Sequence, residues 1–194
     1  PEKTPALIKA ALAHVQFETI HPFLDGNGRV GRLLIALVLF SEGVLPEPIL
    51  YLSLYFKTRR QDYYDLLQAV RVDGDWEAWI KFFLAGVKET SEQAIQTARR
   101  LTSMFEEDRE KIINQLGRAA HSALTVHHEL QRYPVISIPK AAYLTGLSMP
   151  TVSSIMKRLS DLEILRETRV NARKRSFSYS RYIRILGEGT EPIR

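Results

Sequence analysis

Residues 21–32 of this chain read HPFLDGNGRVGR, and an apolar run follows them directly. Two turn dipeptides, Asp25-Gly26 and Asn27-Gly28, interrupt what is otherwise a helical spacing of apolar residues. Upstream, that spacing predicts a helix after Thr4-Pro5, because threonine is a suitable N-cap and proline a suitable first helical residue. Downstream, the stretch from Arg29 to Ser41 is apolar on nearly every side, which predicts a buried central helix.

The rest of the chain divides into an all-helical part and a mixed part. We predict further helices at about residues 60–72, 75–85 and 88–116, and no strong strand before Val135. The elements predicted after that point are a helix over Ile138–Thr145, a turn at Gly146, a helix from Ser148 to Leu162, and strands over Ile164–Val170 and Ser176–Tyr182. The expected fold class is mainly α: an all-helical part over residues 1–116, then a small α+β part over residues 117–194. The second part has the element order of a winged helix-turn-helix domain.

Composition narrows the classes of function. The chain has 194 residues, no cysteine and a formal net charge of +5 at pH 7. Without cysteine it has no disulfide scaffold, thiolate metal site or cysteine nucleophile, and the expectation is a cytoplasmic protein. No apolar run is long enough to span a bilayer, so no membrane partner is expected. From Pro139 onward there are 11 Lys and Arg residues against 5 Asp and Glu, so the excess positive charge lies in the last third.

The turn between the first two predicted helices has the chemistry of an anion-binding loop. Gly26 and Gly28 allow backbone conformations in which successive N–H groups point inward as a nest. The helix that begins there adds its free N–H groups and its dipole, which also favour a phosphate. Arg29 and Arg32 are three residues apart and so lie on one face near this end. Two guanidinium groups beside an amide nest suit a polyphosphate.

The same loop carries a metal ligand and a base. Asp25 supplies a hard oxygen of the kind that Mg²⁺ takes when it is shared with phosphate oxygens. His21 has an ordinary pKa near 6.5 and can accept a proton near neutral pH. The alternative interpretation is a simple tight turn with His21 capping the preceding helix. We favour the functional interpretation because several roles coincide within twelve residues.

Residues 21–32 resemble the signature of the Fic family at every position, and the resemblance extends through Leu7–Gln16 and Tyr51–Val87. It implies a compact helical fold that transfers AMP from ATP to a Ser, Thr or Tyr hydroxyl of a target protein, with the chain itself as a further target. Residues 1–116 are then the catalytic core, which is expected to lack the upstream part of such a fold.

The resemblance also implies individual roles. His21 would be the general base, and Asp25 would hold Mg²⁺ between the α- and β-phosphates. The residues expected to bind the ATP phosphates are Gly26, Asn27, Gly28, Arg29, Val30, Gly31 and Arg32. Among them Asn27 and the amides around the glycines would cradle the phosphates, while the two arginines would reach the β- and γ-phosphates. Phe23 would be a buried anchor beneath the loop.

Two positions refine this picture by similarity to the wider family. Phosphate-transferring, Doc-like relatives carry lysine where Gly28 stands, so glycine favours AMP transfer. Tyr63 and Tyr64 resemble the region that lines the adenine pocket, although either ring is equally well explained as core packing. Relatives often carry asparagine where Arg59 stands, so this chain departs from the pattern there.

The basic C-terminal part predicts a second binding surface. Residues that can face a DNA groove are Ser148, Thr151, Ser154, Lys157 and Arg158, and those on a predicted phosphate-contacting wing are Arg173, Lys174 and Arg175. The alternative is that this part is a protein-docking surface or the interface of a homodimer.

Three functions therefore remain open. The first is a magnesium-dependent protein adenylyltransferase with ATP as substrate. The second is the same site removing AMP or transferring another phosphate-linked group. The third is a DNA-binding regulator whose N-terminal part senses a nucleotide. His14, His121, His127 and His128 match no metal-binding spacing and are interpreted as structural or surface residues.

Overall fold

A computed structural model describes residues 4–46, 51–171 and 174–188, with only the backbone for residues 169–171 and 174. The chain forms two compact units, of which one extends to Ile95 and the other begins at Gln96. Most described residues are helical, and one small sheet lies in the second unit. The prediction of a mainly α fold with a small α+β part is confirmed.

The first unit is built entirely from helices. In chain order they are α1 (Ala6–Ile20), α2 (Asn27–Ser41), α3 (Leu52–Thr58), α4 (Arg60–Asp73) and the beginning of α5 (Trp76–Leu116). The predicted break between residues 85 and 88 does not exist, because α5 continues through Gly86. A Cβ at Gly86 would lie only 2.6 Å from the Tyr55 ring. Glycine there permits close packing inside a helix and does not end it.

The core of the first unit lies between α1, α2 and the aromatic residues of α3 to α5. Trp79 and Phe83 are fully buried, as the amphipathic pattern predicts, and the Trp79 indole N–H donates to the carbonyl of Ala11 at 3.1 Å. Helix α2 is not buried all round, which corrects the prediction. Its Ile35 and Leu39 side chains are 1% exposed, but the opposite face, which includes Leu33, Leu37 and Phe40, is about half exposed. Within the described part of this unit, only one face of α2 packs on other helices.

The second unit combines the rest of α5 with a helical layer and a sheet. Its further elements are α6 (Ala120–Arg132), β1 (Val135–Ser137), α7 (Ile138–Thr145), α8 (Met149–Asp161), β2 (Arg166–Asn171), β3 (Lys174–Ser178) and α9 (Ser180–Gly187). The sheet is antiparallel with the order β1-β3-β2. Ser137 and Ser148 cap α7 and α8 with their side chains, and Gly146 ends α7 in a left-handed conformation.

The last predicted strand ends earlier than expected. The chain leaves β3 at Tyr179, whose backbone N–H donates to the carbonyl of Pro134 at 2.7 Å, and α9 follows. Tyr179 is fully buried, and its hydroxyl donates to Asp108 at 2.6 Å while accepting from His127 at 3.1 Å. This contact with α5 and α6 draws the chain away from the sheet. None of the helices in the described ranges is both long enough and apolar enough to cross a membrane.

Candidate active site

His21 is presented at the C-terminal end of α1 in an unusual backbone conformation. Its φ and ψ are 49° and 57°, the left-handed region, and its N–H donates to the carbonyl of Phe17 at 2.9 Å. The side chain is 59% exposed, and its Nδ1 lies 4.0 Å from Oε2 of Glu18 one turn earlier. A non-glycine residue with positive φ is uncommon, although histidine adopts this region more often than most residues do.

Arg71 of α4 holds the end of α1 in place. Its Nη2 donates to the carbonyl oxygen of Glu18 at 2.7 Å, and its Nε donates to Oγ1 of Thr19 at 3.3 Å. Carbonyls in the last turn of a helix have no intrahelical donor, so the guanidinium group satisfies one that α1 leaves open. Helix α4, which is distant in sequence, thereby holds Glu18, the residue three positions before His21.

The loop after His21 is braced by Asn27 from within. The buried Asn27 side chain accepts from the N–H of Phe23 at 2.9 Å and donates to its carbonyl at 2.5 Å. The side-chain carbonyl and one side-chain N–H are thus used by the loop, so the predicted phosphate contact of Asn27 would come from its backbone N–H. Phe23 is 51% exposed, so it is not the buried anchor that was expected, although its ring lies 6.3 Å from that of Phe17.

At the N-terminus of α2, some backbone N–H groups have a hydrogen-bond acceptor and others do not. Gly26 has φ of 84°, and its N–H donates to Oδ1 of Asp25 at 2.6 Å. Its carbonyl accepts from the N–H groups of Arg29 and Val30 at 3.0 and 3.1 Å, so the Val30 amide is not free for a phosphate as expected. No acceptor in the described part of the chain meets the N–H groups of Asn27 and Gly28. These two amides form the open part of the predicted nest.

The two arginines of the motif differ in their surroundings. The Arg29 side chain is 77% exposed, and its Nη2 lies 3.4 Å from Oδ2 of Asp25. Arg32 is partly buried, and its Nε donates to Oγ of Ser53 on α3 at 3.1 Å. A Cβ at Gly28 would lie 3.1 Å from the Arg32 guanidinium group. Both cations thus lie near the free amides. Arg29 is exposed to solvent, whereas Arg32 is hydrogen-bonded to a neighbouring helix.

A buried polar network lies beneath this surface. His14 is fully buried, and burial lowers its pKa from 6.5 to about 4, so the ring is neutral at pH 7. Its Nδ1–H donates to the carbonyl of Gly31 at 2.9 Å, and its Nε2 therefore accepts from the Tyr63 hydroxyl at 2.9 Å. Burial also raises the pKa of Tyr63. Gly31 and Tyr63 thus belong to the core network. For Tyr63, this is the alternative that the sequence left open. Gly31 was expected to bind phosphate, but it is buried against His14.

The remaining tyrosine of the predicted adenine region lies on the surface. Tyr64 is 54% exposed and lies beneath the Arg60 guanidinium group at 5.7 Å, so its nucleotide role remains a prediction. Arg59, where the chain departs from the family pattern, lies 4.2 Å above the Tyr55 ring and forms an ion pair with Glu89 at 2.8 Å. This contact occupies the Arg59 side chain.

The predicted basic surface of the second unit is partly described. Thr151, Ser154, Lys157 and Arg158 are all exposed and recur at helical spacing along α8. Arg175 is exposed and forms a two-point ion pair with Glu167 at 2.8 and 2.9 Å. Arg173 lies outside the described residues, and only the backbone of Lys174 is described, in β3.

Sequence reasoning missed Glu18, Ser53 and Arg71. Glu18 lies one helical turn before His21, and that spacing is a signal that could have found it. Ser53 and Arg71 give no such signal, because only the packing of α3 and α4 brings them to the motif. Among the described residues, no group of three or more His, Asp or Glu side chains could hold a metal ion.

Comparisons with known proteins identify similar sequences. Residues 1–39 match the Fic/DOC family. The chain is similar to the protein adenylyltransferase Fic of Drosophila willistoni, with 30% identity over 137 residues that cover 71% of this chain and 24% of the relative. It is also similar to the protein adenylyltransferase Fic of Aedes aegypti, with 41% identity over 73 residues, 38% of this chain and 13% of the relative.

A probable protein adenylyltransferase of Aquifex aeolicus is 51% identical over 45 residues, 23% of this chain and 14% of the relative. The chain thus spans a quarter or less of the length of each of these relatives. The matches support the Fic family for the N-terminal unit of this chain.

Proposed function

We propose that the N-terminal unit transfers the AMP group of ATP to a hydroxyl side chain of a target protein. One observation carries the proposal. The exposed imidazole of His21 ends α1, and six residues later α2 begins with two N–H groups, those of Asn27 and Gly28, that have no acceptor in the described ranges. A base and an anion-binding helix start thus occur on one short loop. The adenylyltransferase names of the relatives support the same reaction class.

In the proposed reaction the hydroxyl oxygen of the target attacks the α-phosphorus of ATP. The bond from that phosphorus to the oxygen bridging the β-phosphate breaks, and pyrophosphate leaves. His21 takes the proton of the attacking hydroxyl on Nε2, the ring nitrogen that does not face Glu18. The free amides with Arg29 and Arg32 stabilise the charge that develops on the leaving phosphates.

Asp25 fits the expected Mg²⁺ ion as a single protein ligand. Its side chain is 94% exposed, so its carboxylate oxygens have lone pairs open to solvent beside the phosphate-binding amides. Mg²⁺ commonly binds through one or two carboxylates together with substrate phosphates, which matches the lack of a larger ligand cluster in the described part. When bound, the ion would neutralise phosphate charge during transfer.

Labelled ATP tests the proposal. The chain is incubated with cell lysate and with ATP labelled at either the α- or the γ-phosphate. AMP transfer predicts that protein retains label only from the α position, in keeping with glycine at position 28. Label retained only from the γ position would overturn it in favour of phosphate transfer. Release of AMP from pre-labelled protein without net labelling would favour the reverse reaction.

A pair of histidine variants isolates the site. His21→Ala should reduce α-label transfer by at least about 100-fold, in line with the loss of a general base. The matched control is His121→Ala, because His121 is likewise exposed but lies on α6. Full activity in His21→Ala, or equal loss in both variants, would contradict the proposal.

As a second candidate function we propose that residues 117–194 form a winged helix-turn-helix domain that binds DNA. The exposed face of α8 with Thr151, Lys157 and Arg158, followed by the antiparallel pair β2 and β3, supports it. A double variant Lys157→Ala, Arg158→Ala should weaken duplex binding and make it less steeply dependent on salt. Equal binding by the variant and the parent chain would favour a protein-docking or homodimer surface.

A further inference from the structure

We propose that Glu18 is a positioning residue for His21, whose ring it orients through Nδ1 so that Nε2 meets the attacking hydroxyl. The inference rests on the proposed function, since it names a residue that acts on the base of that site. Glu18 touches neither substrate nor reacting atoms in this proposal. It acts only through His21.

The Glu18 carboxylate is buried beside an exposed imidazole. The residue is 7% exposed, and its Oε1 is buried with no hydrogen-bond partner among the described residues. Its Oε2 lies 4.0 Å from Nδ1 of His21. A buried carboxylate that lacks partners costs free energy, and such groups are found where they serve a function.

The nearby arginines do not explain the carboxylate as a structural ion pair. Arg71 donates to the backbone carbonyl of Glu18 and to Thr19, not to the carboxylate. Arg32 donates from Nε to Ser53. Within the described ranges, Nδ1 of His21 is the only nitrogen of a basic side chain within 4.0 Å of the carboxylate. The carboxylate is therefore directed at the imidazole.

The balance of charges around Glu18 opposes a purely structural role. Burial raises the pKa of Glu18, while the positive charges of His21, Arg32 and Arg71 lower it. Tyr63 also faces this carboxylate, whose charge contributes to the raised pKa of the phenol. A raised pKa in the folded state means that the fold loses stability as pH rises through that pKa. Ionisation of this buried carboxylate therefore costs the fold stability.

The motif itself makes room for the carboxylate. A Cβ at Gly31 would lie 2.5 Å from Oε1 of Glu18 and 3.2 Å from the His14 ring. Any larger residue at position 31 would displace one of these two side chains. The glycine that the sequence assigned to phosphate binding thus permits the approach of Glu18 to the base of the loop.

An exposed ring at a helix end needs a contact that fixes its orientation. The His21 side chain is 59% exposed. Because packing restrains an exposed ring little, the ring can rotate about its side-chain torsions unless another group holds it. A carboxylate facing Nδ1 stabilises the tautomer with the proton on that nitrogen and leaves Nε2 as the base.

Glu18→Gln tests the proposal because it keeps the shape and removes the charge. We expect α-label transfer to fall by on the order of 10- to 100-fold, the usual effect of losing a partner that orients a functional histidine. We expect unfolding by urea to occur at the same or a higher midpoint at neutral pH. Glu92→Gln, at an exposed position of α5, is the matched control and should change neither rate nor midpoint.

Nitrogen NMR of the His21 ring provides a readout that does not depend on activity. The parent chain should show mainly the tautomer with the proton on Nδ1, and Glu18→Gln should show a mixture. Glu18→Asp, which keeps the charge but shortens the side chain by one methylene, should give an intermediate rate. These measurements remain interpretable if one variant folds poorly.

The outcomes separate this inference from the proposed function. Full activity of His21→Ala would contradict the proposed function. Loss of activity in His21→Ala together with an unchanged rate and an unchanged tautomer in Glu18→Gln would overturn only the role of Glu18. A clear fall in the unfolding midpoint of Glu18→Gln with an unchanged tautomer would show a packing role instead, and would also overturn the inference.

Discussion

At the scale of the residue, His14 shows how burial sets protonation. The ring is fully buried with both nitrogens bonded, and burial lowers its pKa to about 4. The unfolded chain, with a pKa near 6.5, therefore binds a proton at a higher pH than the folded chain does. The stability contribution of neutral His14 is fully present above pH 6.5 and is lost as pH falls from 6.5 towards 4. Its size is about 3 kcal/mol.

We predict that the difference in unfolding free energy between the parent chain and His14→Asn shrinks as pH falls through this window. Comparing the two proteins removes the contributions of Glu18 and other carboxylates, which also titrate there. Urea unfolding followed by tryptophan fluorescence measures the effect, because both tryptophans, Trp76 and Trp79, lie in the first unit. His121→Ala serves as the control and should keep the pH dependence of the parent chain. A difference that stays constant between pH 7.5 and pH 4 would contradict the prediction.

At the scale of the element, the clamp between α4 and α1 determines where His21 is placed. Arg71 binds the last-turn carbonyl of Glu18 and the Thr19 hydroxyl across 53 and 52 residues of sequence. Hydrogen bonds that involve a charged group are worth about 1.5–3 kcal/mol. The clamp thus stabilises the end of a helix whose next residue is the proposed base.

We predict that Arg71→Ala lowers the unfolding free energy of the first unit by about 1–3 kcal/mol. We also expect AMP transfer to fall more than ATP binding, because the helix end carries His21 whereas the phosphate amides belong to α2. Urea unfolding and nucleotide titration measure the two effects. Gln68→Ala, an exposed position on the same helix, should change neither. Equal losses of binding and transfer would argue that the clamp holds the whole loop and not the helix end alone.

At the scale of the whole molecule, each unit has its own apolar core. Leu39 and Trp79 belong to the core of the first unit, and Met156 and Leu159 belong to that of the second. A buried polar group accompanies each core: His14 with Tyr63 in the first unit, and Tyr179 with Asp108 in the second. Unfolding of each unit therefore depends on a separate set of side chains.

We predict that Met156→Ala, at a fully buried position, destabilises the second unit by about 2–5 kcal/mol. Far-UV circular dichroism should show the transition at lower urea, while tryptophan fluorescence should keep the midpoint of the parent chain. Leu39→Ala is the reciprocal variant and should shift the fluorescence midpoint. Coincident shifts by both probes in both variants would mean that the two units unfold as one.

The sequence by itself determined the helical class, the loop between α1 and α2, and the residues of the proposed site. These features depend on neighbours in sequence: turn glycines, helical spacing and a dense motif over residues 21–32. Local patterns also predicted the helix that starts at Ser148, whose side chain caps α8. The cap at Ser137 was not predicted. Local patterns failed at Gly86, where a close approach by Tyr55 and not a helix end explains the glycine.

Only the tertiary structure decided which motif residues are exposed to solvent and which are buried in the core. It placed Gly31 and Tyr63 with buried His14, used the Asn27 side chain to brace the loop, and left Phe23 exposed. It also brought Arg71 to the end of α1. The physical reason is that burial and hydrogen-bond satisfaction depend on packing partners tens of residues away, which no local pattern specifies.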